Sequence, residues 1–300
     1  EMDYRFFVGL APAAYLLSMA LSTAVLLVGQ EINGSKRWLN FGPLSFQPSE
    51  FAKVAVILFL TWQIEKSRKK TAGFWFMCRT MMTLLPIVGL VGTNNLSTAI
   101  IILGIGVVLI FVSDPGYARF IGMGAAGVAV IAVFLAAESY RLERLAIWRN
   151  PEKYEKGFQT IQGLYAIGSG GSCGRGFGSS LQKLGFVPEA QNDMIFSIIC
   201  EELGLFGAVC VILLFVLMLW RMMVIANNAK DLYGALLVTG IMSHIAIQVV
   251  LNIAVVTNTI PNTGVILPFI SYGGTSLVFL MAEMGLALSV SKGIRLDTIE

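Results

Sequence analysis

Charge is scarce in this chain. Of its 300 residues only 13% are Asp, Glu, Lys or Arg, while 56% are hydrophobic. A soluble domain carries about 25% charged residues. The deficit excludes a soluble enzyme with one large core and indicates a polytopic membrane protein, in which most residues face lipid or other helices. Histidine is scarcer still. The single one, His244, lies inside an apolar run, so a His-rich metal site is not expected. The four cysteines, Cys78, Cys173, Cys200 and Cys210, lack C-x-x-C spacing and read as unpaired, small apolar residues. The glycine-rich stretch "GSGGSCGRGFG", 168–178, fits neither a G-x-G-x-x-G register nor a G-x-x-x-x-G-K-[ST] loop. It predicts an ordinary flexible or tightly turned loop rather than a nucleotide cradle. No repeat at a solenoid period and no cleavable signal peptide is visible. The net charge of +3 is uninformative by itself, and no nucleic-acid partner is expected.

What the chain has is apolar runs. A bilayer core needs about 20 apolar residues in a helix. Spans are expected near 6–29, 49–64, 80–93, 97–113, 118–137, 193–224, 232–257 and 272–291, the third interrupted by Pro86. Eight spans put both ends on one side. The positive-inside rule makes that side cytoplasmic, because "EKSRKK", 65–70, holds four cations, and Arg119, Arg221, Lys230, Lys292 and Arg295 flank the connections sharing it. The segments 30–48, 138–192 and 258–271 then face outward, the second as a large extracytoplasmic loop of a single transmembrane domain.

Three outward stretches carry the chemistry-bearing residues. In the first, Lys36 and Arg37 sit beside the interfacial Trp38, Pro48 suits a first helical turn, and Glu50 and Lys53 share one helical face. Charged groups just inside a span face a cavity or a partner. In the second, Pro188 disfavours helix at Val187, so a helix should start near Gln191 or Asn192, with Asp193 in its first turn. Glu201 lies roughly 12 Å deeper, and Glu202 is on the face opposite Asp193. Both glutamates suit interhelical pairing, with Gly204 and Gly207 assisting close helix packing. In the third, "NTIPNTGVILPFISYGGTS", 258–276, reads as unwound backbone lining a cavity, with the amides of Gln248 and Asn252 on one face of the preceding span.

"RWLNFGPLSFQPSEFAK" (37–53), "GRGFGSSLQKLGFVPEAQNDMIFSIICEELGLFG" (174–207) and "NTGVILPFISYGGTS" (262–276) together resemble the SEDS family of shape, elongation, division and sporulation proteins. That family includes FtsW, RodA and SpoVE. The likeness covers essentially the whole chain, and "SSLQKLGF" leans towards FtsW and SpoVE. It implies an all-α bundle of ten spans with both ends cytoplasmic. Eight are visible here, so the first two are expected to be absent from this stretch of sequence.

The resemblance further implies peptidoglycan glycosyl transfer from lipid II, an undecaprenyl diphosphate-linked disaccharide-peptide, at the outer face of the bacterial cytoplasmic membrane. It implies work beside a class B penicillin-binding protein and other divisome or elongasome membrane proteins. The family's acidic residue after "PEA-x-x" falls on Asp193, and its Q-P-S-E-x-x-K carboxylate and amine fall on Glu50 and Lys53. Gln191 and Asn192 stand where His-Thr is usual, Asn94 and Asn95 where Pro-Asp is common, and Asn258 where glycine is frequent.

An inverting transfer needs one base, not the pair of carboxylates roughly 5 Å apart of a retaining hydrolase. Asp193 is the expected catalytic base. Lys53 and Arg37, then Arg144, Arg149 and Arg175, are the expected cations for the diphosphate, with Glu50 holding Lys53. Glu189, Gln191, Gln248, Asn252 and Ser271 complete the expected substrate-binding set. A divalent cation such as Mg2+ could assist the diphosphate, although no ligand set in the sequence requires one. Two other readings stand beside this one: a lipid II flippase, supported by intramembrane polar groups and broken spans, and a non-catalytic scaffold of the division or elongation complex.

Overall fold

The computed structural model describes residues 3–32, 35–41, 44–67, 73–114 and 139–294, together with 116, 117, 121, 122, 124, 125, 127–129 and 132. The expected span 118–137 falls largely outside these residues. So do Arg68, Lys69, Lys70, Arg119 and Arg295, five of the cations read for orientation.

The α-helices described from end to end are α1 Phe6–Val28, α2 Pro48–Ser67, α3 Phe74–Asn94, α4 Leu96–Ser113, α5 Ser139–Arg149, α6 Phe158–Gly170, α7 Ile195–Asn227, α8 Leu232–Val256 and α9 Gly274–Ser291. Six of these, α1, α3, α4, α7, α8 and α9, are long and apolar enough to cross a membrane. The fold is the helical bundle of a multi-pass membrane protein. Leu16, Leu27, Leu205, Phe206, Leu214 and Val278 are exposed on it, as lipid-facing side chains must be.

The helices pack as two compact units, one of 1–132, 220–245 and 275–300, the other of 133–219 and 246–274. In the first unit α2 is buried on nearly all sides, with Ala52, Ala55, Val56, Leu60 and Ile64 inaccessible. Pro48 opens α2 at a position where its missing N–H costs nothing. Pro86 does not end α3, which continues to Asn94. The hydroxyl of Tyr15 on α1 donates to the carbonyl of Thr83, in the turn that the proline loosens. The side chain of Asn95 caps α4, accepting from the Thr98 N–H at 3.2 Å. At Gly106 an added Cβ would lie 2.2 Å from Leu84 Cδ2, so bare backbone is what lets α4 approach α3.

The segment 30–48 holds a three-stranded antiparallel sheet, β1 Gln30–Ile32, β2 Ser35–Phe41 and β3 Leu44–Phe46, in the order β1-β2-β3. Gln30 pairs with Trp38, and Leu39 with Phe46. Thr275, at the start of α9, donates to the Ser45 carbonyl at 3.0 Å. The sequence reading assigned no strand here, although Asn33 and Gly34, which lie between β1 and β2 in sequence, are the strongest short hairpin signal.

In the second unit the expected long loop contains α5, α6 and short 3-10 turns at Pro151–Lys153, Glu155–Gly157 and Gln182–Leu184. Helix α7 is broken at Gly204, whose φ of 65° and ψ of −164° are not helical. The glycine-rich stretch fills the break. Leu205 N–H donates to Gly171 O at 2.9 Å and Phe206 N–H to Ser172 O at 3.2 Å, while Arg175 and Gly176 N–H groups donate to the carbonyls of Glu201 and Glu202. A Cβ at Gly204 would lie 2.3 Å from Gly174 N. Gly204 therefore serves loop insertion, where helix-to-helix packing was expected.

Candidate active site

The second unit gathers the unwound backbone around Asp193. Helix α7 starts at Ile195, later than the expected Gln191 or Asn192, so Asp193 lies in the turn before the helix. Segment 257–273 is non-helical, as expected. The Asn252 amide at the end of α8 joins the two stretches, donating to Asp193 O at 2.8 Å and to Val265 O at 2.7 Å. One turn earlier Gln248 donates to Ile266 O at 3.1 Å. Ser271 Oγ donates to Asn192 O at 2.6 Å and accepts from Leu267 N–H at 2.7 Å. Tyr272 N–H donates to Gln191 O at 2.8 Å. Buried amides and hydroxyls thus satisfy backbone that no helix satisfies.

The Asp193 side chain is 8% exposed. Its Oδ1 accepts from Gln159 Nε2, on α6, at 3.3 Å. Gln159 Nε2 also donates to Pro188 O at 3.1 Å, and Gln159 Oε1 accepts from Asn262 Nδ2 at 2.9 Å. The other oxygen, Oδ2, lies beneath the exposed Gly264, where a side chain's Cβ would be 3.9 Å away. Gly264 has φ of 66°, a conformation that glycine adopts without cost. Glu189 and Asn258 also adopt positive φ, both 54°. With Phe269, at φ of 64°, the same unit holds three non-glycine residues at positive φ, strain of the kind an over-determined site holds.

Burial pushes the Asp193 carboxyl up to about 6. Its own backbone amide, the Gln159 hydrogen bond and the Arg144 charge oppose the rise, and Glu189 adds to it. A carboxylate with these surroundings is a base suited to proton transfer near neutral pH.

The other expected residues fall in several places. Arg144 joins the Asp193 surroundings, donating to Asn262 O at 3.2 Å. Glu189 is exposed and accepts from the Asn192 side-chain amide. Gln191 and Arg149 are exposed. Arg175 pairs with Glu201 at 3.4 Å. Glu201 also accepts from Ser180 Oγ at 2.5 Å, and Glu202 from Lys183 Nζ at 2.6 Å and from Gly178 N–H at 2.9 Å. The two glutamates thus hold the 175–183 loop against α7, in place of the interhelical pairing expected of them. Arg37, Glu50 and Lys53 belong to the first unit. Lys53 Nζ lies 3.0 Å from Glu50 Oε1, both side chains buried. Arg37 Nε donates to Asn94 O at 3.1 Å and lines a cavity with Ser22, Ser49, Leu90 and Asn95. Among the described residues, no three His, Cys, Asp or Glu side chains converge as a metal site.

Gln159, which donates to Asp193, and Asn262, which donates to Gln159, are the residues that sequence reasoning missed. Both sit in stretches read as loop. The signal for Gln159 is the apolar run that makes α6 a helix.

The family described as cell cycle protein, the FtsW, RodA and SpoVE family, matches residues 1–295. Stage V sporulation protein E of Bacillus subtilis is 40% identical over 275 residues, covering 88% of this chain and 74% of that protein. A probable peptidoglycan glycosyltransferase FtsW of Trichlorobacter lovleyi is 34% identical, covering 99% of this chain and 79% of that one. Among solved structures, a chain of a peptidoglycan synthase complex that coordinates polymerization and crosslinking superposes with a TM-score of 0.82 at 32% identity, over 99% of this chain and 84% of that chain. The rod shape determining protein RodA of Thermus thermophilus superposes with a TM-score of 0.73 at 30% identity, over 99% of this chain and 82% of that chain.

Proposed function

The chain belongs to the FtsW, RodA and SpoVE family of cell cycle proteins, and from that premise we propose that it is a peptidoglycan glycosyltransferase polymerising lipid II into glycan strands. The observation that carries the reading is Asp193: a carboxylate buried in a turn of unwound backbone, held by Gln159, with a raised pKa and one oxygen beneath a bare glycine.

In the proposed step, the Asp193 carboxylate takes the proton of the acceptor sugar's hydroxyl as that oxygen attacks the anomeric carbon of the donor. The new glycosidic bond forms as the bond from the anomeric carbon to the diphosphate oxygen breaks. The lipid diphosphate leaves with the electron pair, and the centre inverts. A positioned base contributes on the order of 10²–10⁴-fold. Lys53, held by Glu50, and Arg37 are proposed to meet the charge on the departing diphosphate, and Arg144, whose charge acts on Asp193, to assist them. No step is assigned to a divalent ion. The site is proposed to face outward across the bacterial cytoplasmic membrane, with a class B penicillin-binding protein as partner to cross-link the product.

Gln248 and Asn252, which as intramembrane amides favoured transport, are committed to unwound backbone. The test supplies lipid II from outside to vesicles holding the full-length protein and its transpeptidase partner. Glycan strands support the enzyme. Labelled lipid crossing the vesicle wall without polymer would overturn it in favour of a transporter.

A further inference from the structure

Among the described residues of the unit formed by 1–132, 220–245 and 275–300, two close pairs of ionisable side chains are buried. One is Glu50 with Lys53, both on α2. The other joins α8 to α9: His244 Nδ1 lies 2.8 Å from Glu283 Oε2 and 3.0 Å from Oε1. His244 is 1% exposed and Glu283 is inaccessible. The transfer step above uses neither residue. Ionisable groups are costly inside helices that cross a membrane, and where they persist they are paired and serve a purpose.

The backbone brings the two pairs together. A Cβ on Gly240 would lie 2.8 Å from Ile57 Cγ2, so α8 meets α2 here with no side chain of its own between them. One turn along α8 from Gly240 is His244, and one turn back along α2 from Ile57 is Lys53. His244 is near enough to Glu50 for their charges to act on each other. Among the described residues, Glu50 and Lys53 from α2, His244 from α8 and Glu283 from α9 are titratable groups that this contact brings together. Of the four groups, one carboxylate lies against the ammonium and the other against the imidazole.

We propose that His244 and Glu283 are positioning residues: with Glu50 and Lys53 they form one buried four-group charge network that fixes the Lys53 ammonium for its work on the departing diphosphate. Glu283 holds the imidazole, the imidazole bears on Glu50, and Glu50 orients Lys53. The proposal rests on the role given to Lys53 above.

The test uses the full-length protein in liposomes with lipid II as probe, and the variants Lys53→Met, Glu283→Gln and the double. Melting temperature reads the network without reference to activity. Each single change removes one partner of a buried pair and lowers the melting temperature. The double removes one charge of each sign and melts above the sum of the single effects. Strictly additive shifts would overturn the network. Polymerisation reads the positioning. Glu283→Gln should lower kcat about tenfold with KM little changed, and should cost nothing further in the Lys53→Met background. An unchanged kcat for Glu283→Gln, or a further tenfold loss in that background, overturns the positioning role. Wild-type rates from Lys53→Met overturn it too, through the role of Lys53, while an inactive Asp193→Asn variant in the same assay keeps the glycosyltransferase reading standing.

Discussion

Gln159 Nε2 donates to Asp193 Oδ1 at 3.3 Å, and the same amide is anchored by Pro188 O and Asn262. The hydrogen bond stabilises the ionised carboxylate and so works against burial, which dominates. Gln159→Ala removes that support. Polymerisation by the variant should lose its acid limb at a higher pH than the wild type, with kcat lowered several-fold. Initial rates across pH 5–8 check this, and an unmoved limb would detach Gln159 from the base.

The acid limb itself follows from Asp193. Its carboxyl is held at about 6, and the base is active only when ionised. The rate of polymerisation should fall about tenfold for each pH unit below that value. A rate that is flat down to pH 4.5 excludes this carboxylate as the base.

Stability should carry the opposite sign. The folded-state pKa of Asp193 is raised from 3.8 to about 6, so the folded protein binds this proton more tightly than the unfolded chain between those values. The contribution from Asp193 is most favourable at low pH and falls as pH rises through that window, by about 2–3 kcal/mol. Asp193→Asn should therefore melt higher than the wild type at pH 8, with the difference shrinking towards pH 4. Melting curves at the two pH values decide it.

Gly264 lies over Asp193 Oδ2 with no side chain of its own, and a Cβ there would be 3.9 Å from that oxygen. Gly264→Val places a branched side chain over that oxygen and forces a β-branched residue to positive φ, a strain of roughly 1–2 kcal/mol. Lipid II polymerisation should be lost while the protein still inserts and purifies. Wild-type rates from this variant would mean that the substrate reaches the carboxylate from another side.

Asn252 donates to two carbonyls, Asp193 O and Val265 O. Asn252→Leu leaves both without that partner and should lower stability by about 1–3 kcal/mol. It should also lower polymerisation more than the stability loss explains, because the turn carrying Asp193 loses its tie. Thermal melting and initial rate, measured on the same preparation, separate the two effects.

Much of this was legible before the structure, and the limits are physical. Apolar runs reveal spans because lipid demands about 20 residues in a helix, so α1, α4, α8 and α9 fall close to their expected ranges. The unwound 257–273 stretch was visible through its prolines and glycines. The place of Asp193 came from a family resemblance and from a pattern of carboxylates, and its hydrogen-bond partners did not. Gln159 is 34 residues away in sequence and Asn252 59 away, and no local periodicity reports such contacts. The break in α7 was hidden for a similar reason. Gly204 looks like any small residue in an apolar helix until the 171–176 backbone is placed against it. The sheet of 30–46 is hidden because its strands are short and lie between two apolar runs, where the sequence signals a loop.

The most direct test compares lipid II polymerisation by the full-length protein with its transpeptidase partner, wild type against Asp193→Asn, with melting at pH 8 confirming that the variant is folded. Glycan strands from the wild type and none from the folded variant are expected. Near-normal strands from Asp193→Asn would contradict the assignment of Asp193 as the base.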